Sequence, residues 1–413
     1  MYERGLLDVG DGNRIYWEAR GNPHGLPVLV VHGGPGSGRS RGAHELFDPA
    51  AFRIVLFDQR GCGDSEPSAA DPATDMAHNT TEHLLADMEA LRERLGIGRW
   101  LLYGGSWAST LILAYAERHP DRVFGIVLVG VVMTRPAEID WLYHGLRLLL
   151  PIEWERFRTG VPDEDHDGNL VEAYRRLMEN PDSEVREQAA RDWCAWEDAV
   201  IAHETLGNPG QYSAKPDAAK LAFVRICSHY FAHGAWLDDG QLLRDANHLK
   251  GIPGFLIHGR LDLSAPLLTA WELAQAWPDA ALTIIEDSGH TGSPAMRNAI
   301  VDAERHRRCD RQVRSRRPGI STSTLEFSPW LGDVCNALEC SVTQCGPAGV
   351  LQRSTPASQP PGQICTQLRV GTNQRVEREP LVEATRVGKH PGCRAGEPRW
   401  LSAPRDVGRG EHR

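Results

Sequence analysis

Short apolar runs and helical repeats alternate along the first third of the chain. Arg14 to Glu18 alternates with period two, as a half-buried strand does. Val28-Leu29-Val30-Val31-His32 is an apolar run stopped by glycines, and Ile54-Val55-Leu56-Phe57 is a second run, ended by Asp58. Thr80 to Leu95 carries Leu84, Leu85, Met88, Leu91 and Leu95 at helical spacing, with Gly96 as the stop. Leu101-Leu102-Tyr103, a glycine-rich turn, a helix over roughly Thr110 to His119 and the run Gly125 to Val129 follow. Apolar strands separated by helices predict a parallel sheet covered on both faces.

The alternation lapses and then returns. From Thr134 to Asn247 the pattern is helical, rich in tryptophan (Trp141, Trp154, Trp193, Trp196, Trp236) and without a buried strand. Gly254 to His258 and Leu282 to Ile285 are strand-like, with a helix around Leu267 to Trp277 between them. The pattern predicts an α/β core in two parts (residues 1–133 and 248–303) interrupted by a helical lid (134–247). Such a lid covers the C-terminal sheet edge, where open α/β sheets bind ligands. After Ala303 no periodicity survives, and residues 304–413 are expected to form a disordered tail.

Composition sharpens that boundary. The chain is 41% hydrophobic and 24% charged, as in an ordinary globular protein, and its net charge is −10. Residues 304–413 hold 17 Arg and one Lys against 11 acidic residues, so the first 303 residues carry −17. Six of the nine cysteines also lie in the tail, at spacings that match no zinc or redox pattern. The tail's arginines are scattered among acids, which speaks against nucleic-acid binding. The abrupt change in character also fits the product of a shifted reading frame. No apolar run reaches the length of a membrane span and no secretory signal is evident, so the expectation is a cytoplasmic protein without membrane contact.

Gly104-Gly105-Ser106-Trp107-Ala108 lies between a strand and a helix, the context of a nucleophile elbow. Ala108 stands where a glycine is usual. A serine needs a base, and the base an orienting carboxylate. Asp262 follows one late strand and His290 the next, so serine, acid and base come in the order this architecture requires. His32-Gly33-Gly34-Pro35-Gly36 follows an early strand, and the backbone amides of Gly34 and Trp107 are the candidates for an oxyanion hole. The fold class is therefore α/β, an α/β-hydrolase fold with a mostly parallel sheet, catalysed by Ser106, Asp262 and His290 without metal or other cofactor.

Taken together, these residues resemble the proline iminopeptidases (prolyl aminopeptidases) of the α/β-hydrolase superfamily. The resemblance runs through His32 to Gly36, Asp58-Gln59-Arg60-Gly61-Cys62-Gly63-Asp64-Ser65, Gly104 to Trp107, Trp193-Cys194-Ala195-Trp196-Glu197, His229-Tyr230-Phe231, His258 to Asp262 and Gly289-His290. It covers about residues 5 to 303 and leaves the tail aside. It implies release of N-terminal proline from small peptides, with Glu197 binding the substrate's ammonium and Phe231 packing on the proline ring. Two positions depart from the pattern. Cys227 replaces a second amine-binding glutamate, and Leu142 stands where an aromatic is frequent, so the substrate range is expected to be broader. The rival readings are an amidase or esterase on the same triad and a non-catalytic binding protein on the same scaffold.

Overall fold

Eight strands form one sheet in the computed structural model, which describes residues 2–39, 42–204 and 210–303. They are β1 (Glu3–Asp8), β2 (Arg14–Gly21), β3 (Leu26–Val31), β4 (Phe52–Phe57), β5 (Trp100–Ser106), β6 (Val123–Val131), β7 (Gly254–Gly259) and β8 (Ala280–Ile285), in the order β1-β2-β4-β3-β5-β6-β7-β8. The pairings β1–β2 and β2–β4 are antiparallel, and all the others are parallel. The tail at 304–413 lies outside the described residues, as does the expectation made for it.

Side-chain alternation along the central strands explains why their runs are apolar throughout. Leu29, Val31, Val55, Phe57, Leu102, Ile126 and Leu128 enter one core. Their neighbours Val28, Val30, Ile54, Leu56, Leu101 and Val127 enter another on the opposite face. A strand buried on both sides has no polar face to display. Helices α1 (Thr81–Arg94) and α2 (Trp107–Arg118) supply much of the first core; every residue of α2 from Trp107 to Ala116 is buried. Helix α2 begins at Trp107 rather than near Thr110, because the turn at Ser106 serves as its N-cap position.

Between β6 and β7 come α3 (Pro136–Tyr143), α4 (Pro151–Arg158), α5 (Leu170–Met178), α6 (Ser183–Ile201), α7 (Asp217–Ala232) and α8 (Gln241–Asp245). These helices build an aromatic core of their own around Tyr143, Phe157, Tyr174, Trp193 and Trp196. Phe157 stacks on Tyr174 with ring centres 4.5 Å apart. Helix α7 joins this core to the sheet layer. Its buried Arg225 donates to the carbonyls of Ala69, Asp71 and Thr74 and pairs with Glu179, while Tyr230 donates to Asn79 and packs on Trp107. Helix α9 (Leu267–Ala276) then returns the chain to the sheet, and a further helix spans 294–303 after β8.

Candidate active site

Ser106 sits at the end of β5 with φ 57° and ψ −134°, a backbone conformation strained for any residue with a side chain. The neighbours make that turn possible. A Cβ on Gly104 would meet the Ala108 Cβ at 2.6 Å, and one on Gly105 would meet the Val129 carbonyl oxygen at 2.9 Å. Ala108 is tolerated in place of the usual glycine because Gly104, facing it, has no side chain. Ser109 donates from its hydroxyl to the Ser106 carbonyl and accepts from the Val132 amide, tying the elbow to the end of β6.

The loops after β7 and β8 bring Asp262 and His290 together, with His290 Nδ1 2.8 Å from Asp262 Oδ2. The other carboxylate oxygen accepts the Ala265 amide at 2.8 Å, which fixes the carboxylate plane. Burial alone would lower the His290 pKa, but the Asp262 charge and hydrogen bond, with Glu204 and Glu197 behind them, raise it to about 9. His258, at the end of β7, accepts the Val131 amide on Nδ1 and donates from Nε2 to the Ala265 carbonyl, and burial holds it neutral.

The glycine loop after β3 runs against Ser106, since a Cβ on Gly33 would lie 3.4 Å from the Ser106 Cβ. Gly34 takes φ 119° in this loop, and Trp107 is the first residue of α2, whose amide has no partner within the helix. Gln59 braces both sides. Its amide N–H donates to His32 Nε2 at 3.0 Å, its side chain donates to the His32 carbonyl at 2.9 Å, and it accepts the Trp107 indole N–H at 3.3 Å.

A cavity of about 330 Å³ opens onto these groups. Ser106, His290, Gly34 and Trp107 line it from the sheet side, and Glu197, Phe231, Leu142 and Tyr143 from the lid. The Glu197 carboxylate is 7% exposed and accepts the Tyr143 hydroxyl at 2.7 Å. No lysine or arginine pairs with it among the described residues, and burial pushes its pKa up. Glu138 also lines the cavity, but Arg135 neutralises it at 2.8 Å.

A profile described as the alpha/beta hydrolase fold matches residues 27–293. The chain is 48% identical over 306 residues to a probable proline iminopeptidase of Streptomyces coelicolor, covering 73% of this chain and 94% of that protein. Proline iminopeptidases of Neisseria gonorrhoeae (43%, covering 73% and 95%) and Arabidopsis thaliana (42%, covering 73% and 79%) are similar in the same way. The chain belongs to the proline iminopeptidase family of α/β-hydrolases.

Within that family frame, Cys227 lies next to Tyr143 and feels the Glu197 charge, beside the carboxylate proposed to bind the amine. It is 1% exposed and packs in the aromatic lid core, behind the cavity wall. Phe231, four residues on, does reach the cavity and packs against Tyr143 with ring centres 5.9 Å apart.

Three residues near the chemistry escaped the sequence reading. Gly130 (φ 56°) lies at the end of β6, where a Cβ would fall 3.3 Å from both Asp262 Oδ2 and His290 Nδ1. Gln59 stands inside a family motif that carries no catalytic signature of its own. Glu204 follows α6 and accepts from the backbone of the histidine loop. No short pattern marks it, because its partners are 86 and 87 residues away. Among the described residues, Asp11, His78 and His83 have metal-ligand spacing, but the Arg60 guanidinium already lies 3.7 Å from Asp11 and none of the three lines the cavity. No described helix is long and apolar enough to cross a membrane.

Proposed function

We propose that this protein is a serine aminopeptidase that releases N-terminal proline from small peptides through an acyl-enzyme. The observation that carries the reading is the Glu197 carboxylate, buried in the same cavity as Ser106 and His290 and, among the described residues, in no salt bridge with lysine or arginine. A carboxylate in that state gains most from a ligand that brings its own positive charge. An amine held there places the carbonyl of the first residue at the serine, which fixes cleavage one residue from a free terminus. A cavity of about 330 Å³ is at the small end of ligand sites, suited to one compact residue and the bond beyond it.

In this mechanism His290, oriented by Asp262, takes the proton of Ser106 as the hydroxyl attacks the carbonyl carbon. The Gly34 and Trp107 amides hold the oxyanion. Protonated His290 gives its proton to the departing amine, and water, activated by the same histidine, releases proline and restores Ser106. Phe231 packs on the pyrrolidine ring. Replacement of the second amine-binding glutamate by the buried Cys227 leaves one carboxylate to hold the ammonium, which favours a broader range of small N-terminal residues.

The test is a panel of aminoacyl anilides, each free and N-acylated. The expected result is turnover of the free proline anilide and rejection of its blocked form. Glu197→Gln should raise KM for free anilides while Ser106→Ala abolishes turnover. Equal cleavage of free and blocked substrates would instead identify an amidase or esterase of broader range.

A further inference from the structure

The catalytic histidine is held from two sides, and only one of them is the familiar acid. Asp262 orients the imidazole ring from the sheet. The backbone of the same loop is held by Glu204, which follows the last turn of lid helix α6. Glu204 Oε1 accepts the His290 amide at 2.7 Å, and Oε2 accepts the Thr291 amide at 2.7 Å and the Thr291 hydroxyl at 2.5 Å. The carboxylate is 8% exposed and, among the described residues, has no lysine or arginine partner. Among the described residues, the donors to its oxygens all belong to the histidine loop.

The loop is shaped to receive it. A Cβ on Gly289 would lie 2.2 Å from Glu204 Cδ and 2.5 Å from Cγ, so only glycine lets the carboxylate reach the amides of residues 290 and 291. Elsewhere the loop is tied to the core through residue 288, whose carbonyl accepts the Leu261 amide. At the histidine itself, the backbone hydrogen bonds go to the lid.

We infer that Glu204 is a positioning residue for His290, coupling the docked state of the lid to the competence of the catalytic base. With α6 docked, three charge-assisted hydrogen bonds, one from His290 and two from Thr291, hold the histidine loop in register with Asp262 and Ser106. With the end of α6 displaced, the amides of 290 and 291 lose their acceptor and the imidazole loses its alignment. The inference rests on the proposed role of His290 as general base. It adds that the lid contributes to proton transfer as well as to substrate binding.

A buried anion beside the imidazole also favours its protonated form, so Glu204 should influence where the base titrates. The titratable groups acting on His290 are Asp262 after β7, His258 within β7, and Glu197 and Glu204 from the lid. Removing the Glu204 charge leaves the other three in place.

The experiment compares wild type with Glu204→Ala, Glu204→Gln and, independently, Gly289→Ala, whose methyl would eject the carboxylate. Full pH profiles of kcat and kcat/KM on proline anilide are measured beside the rate at which a fluorophosphonate labels Ser106. The expected result is a fall of about 10- to 100-fold in kcat with KM changed far less. The acidic limb of the pH profile should move to lower pH, and labelling should slow in parallel. Glu204→Gln, which keeps one acceptor oxygen, should show the same displaced limb with a smaller fall in kcat, and it serves where Glu204→Ala does not fold. An unmoved pH limb would overturn the inference even if the rate fell, because a merely structural role lowers the rate without changing the base. Labelling needs no peptide substrate. If wild type ignores proline anilide but is labelled, the aminopeptidase reading fails while the labelling rates still decide the role of Glu204.

Discussion

At Ser106, Gly130 and His290 the geometry of the proposed catalytic site depends on what neighbouring residues lack as much as on what they supply. Gly104 has no side chain to oppose Ala108, and Gly130 has none to press on the acid–base pair. Gly130→Ala should therefore lower kcat on proline anilide about 10-fold or more by displacing His290 from Asp262, while far-ultraviolet circular dichroism stays unchanged. The charge around His290 leads to a second expectation. The histidine must be neutral to act as a base, and its pKa in the free protein is raised to about 9. The acidic limb of kcat/KM should therefore lie well above the ordinary histidine range, with activity climbing as the pH rises toward that value. Glu197 contributes to the elevation, and a bound ammonium would cancel its charge. The limb of kcat should then fall at lower pH than that of kcat/KM. Coincident limbs would show that no cation neutralises Glu197 in the complex.

Among the elements, α6 and α7 both join lid and sheet. Helix α6 carries Glu197 and leads into Glu204, so in the proposed mechanism one helix bears on both the substrate amine and the base. Helix α7 presents Phe231 to the cavity and anchors itself through Arg225, which reaches three loop carbonyls and Glu179. Arg225→Ala would leave those buried carbonyls without their donor. It should cost about 2–3 kcal/mol, read as a lower urea midpoint at unchanged slope. The strands and long helices were legible because burial on both faces or one face imposes a period on the residues. Strand β1 was not, since it lies at the sheet edge with most of its residues exposed or half exposed and so carries no strong alternation. The start of α2 was set too late for a related reason. The elbow residues are chosen for close packing and strain, and propensity does not register either.

For the molecule as a whole, every described residue that lines the cavity lies between Gly33 and Thr291. The relatives likewise align with 73% of the chain. A protein ending at residue 303 should therefore match the full chain in kcat/KM on proline anilide and in melting temperature. A loss of either would assign residues 304–413 a contribution to folding or activity and remove the case for a shifted reading frame.

Sequence alone determined the order of the buried strands and the core helices, the elbow around Ser106 and the positions of Asp262 and His290 after late strands. Each of these is written locally, in periodicity, in glycines at a turn or in a short motif. The contact between Asp262 and His290 at 2.8 Å, the burial of Glu197 and the packing of Cys227 in the lid core were decided by the tertiary structure. So was the reach of Glu204 to the backbone of residue 290. Those features depend on which distant segments meet, and the environment that gives a carboxylate its charge, partners and purpose is assembled only when the lid closes over the sheet.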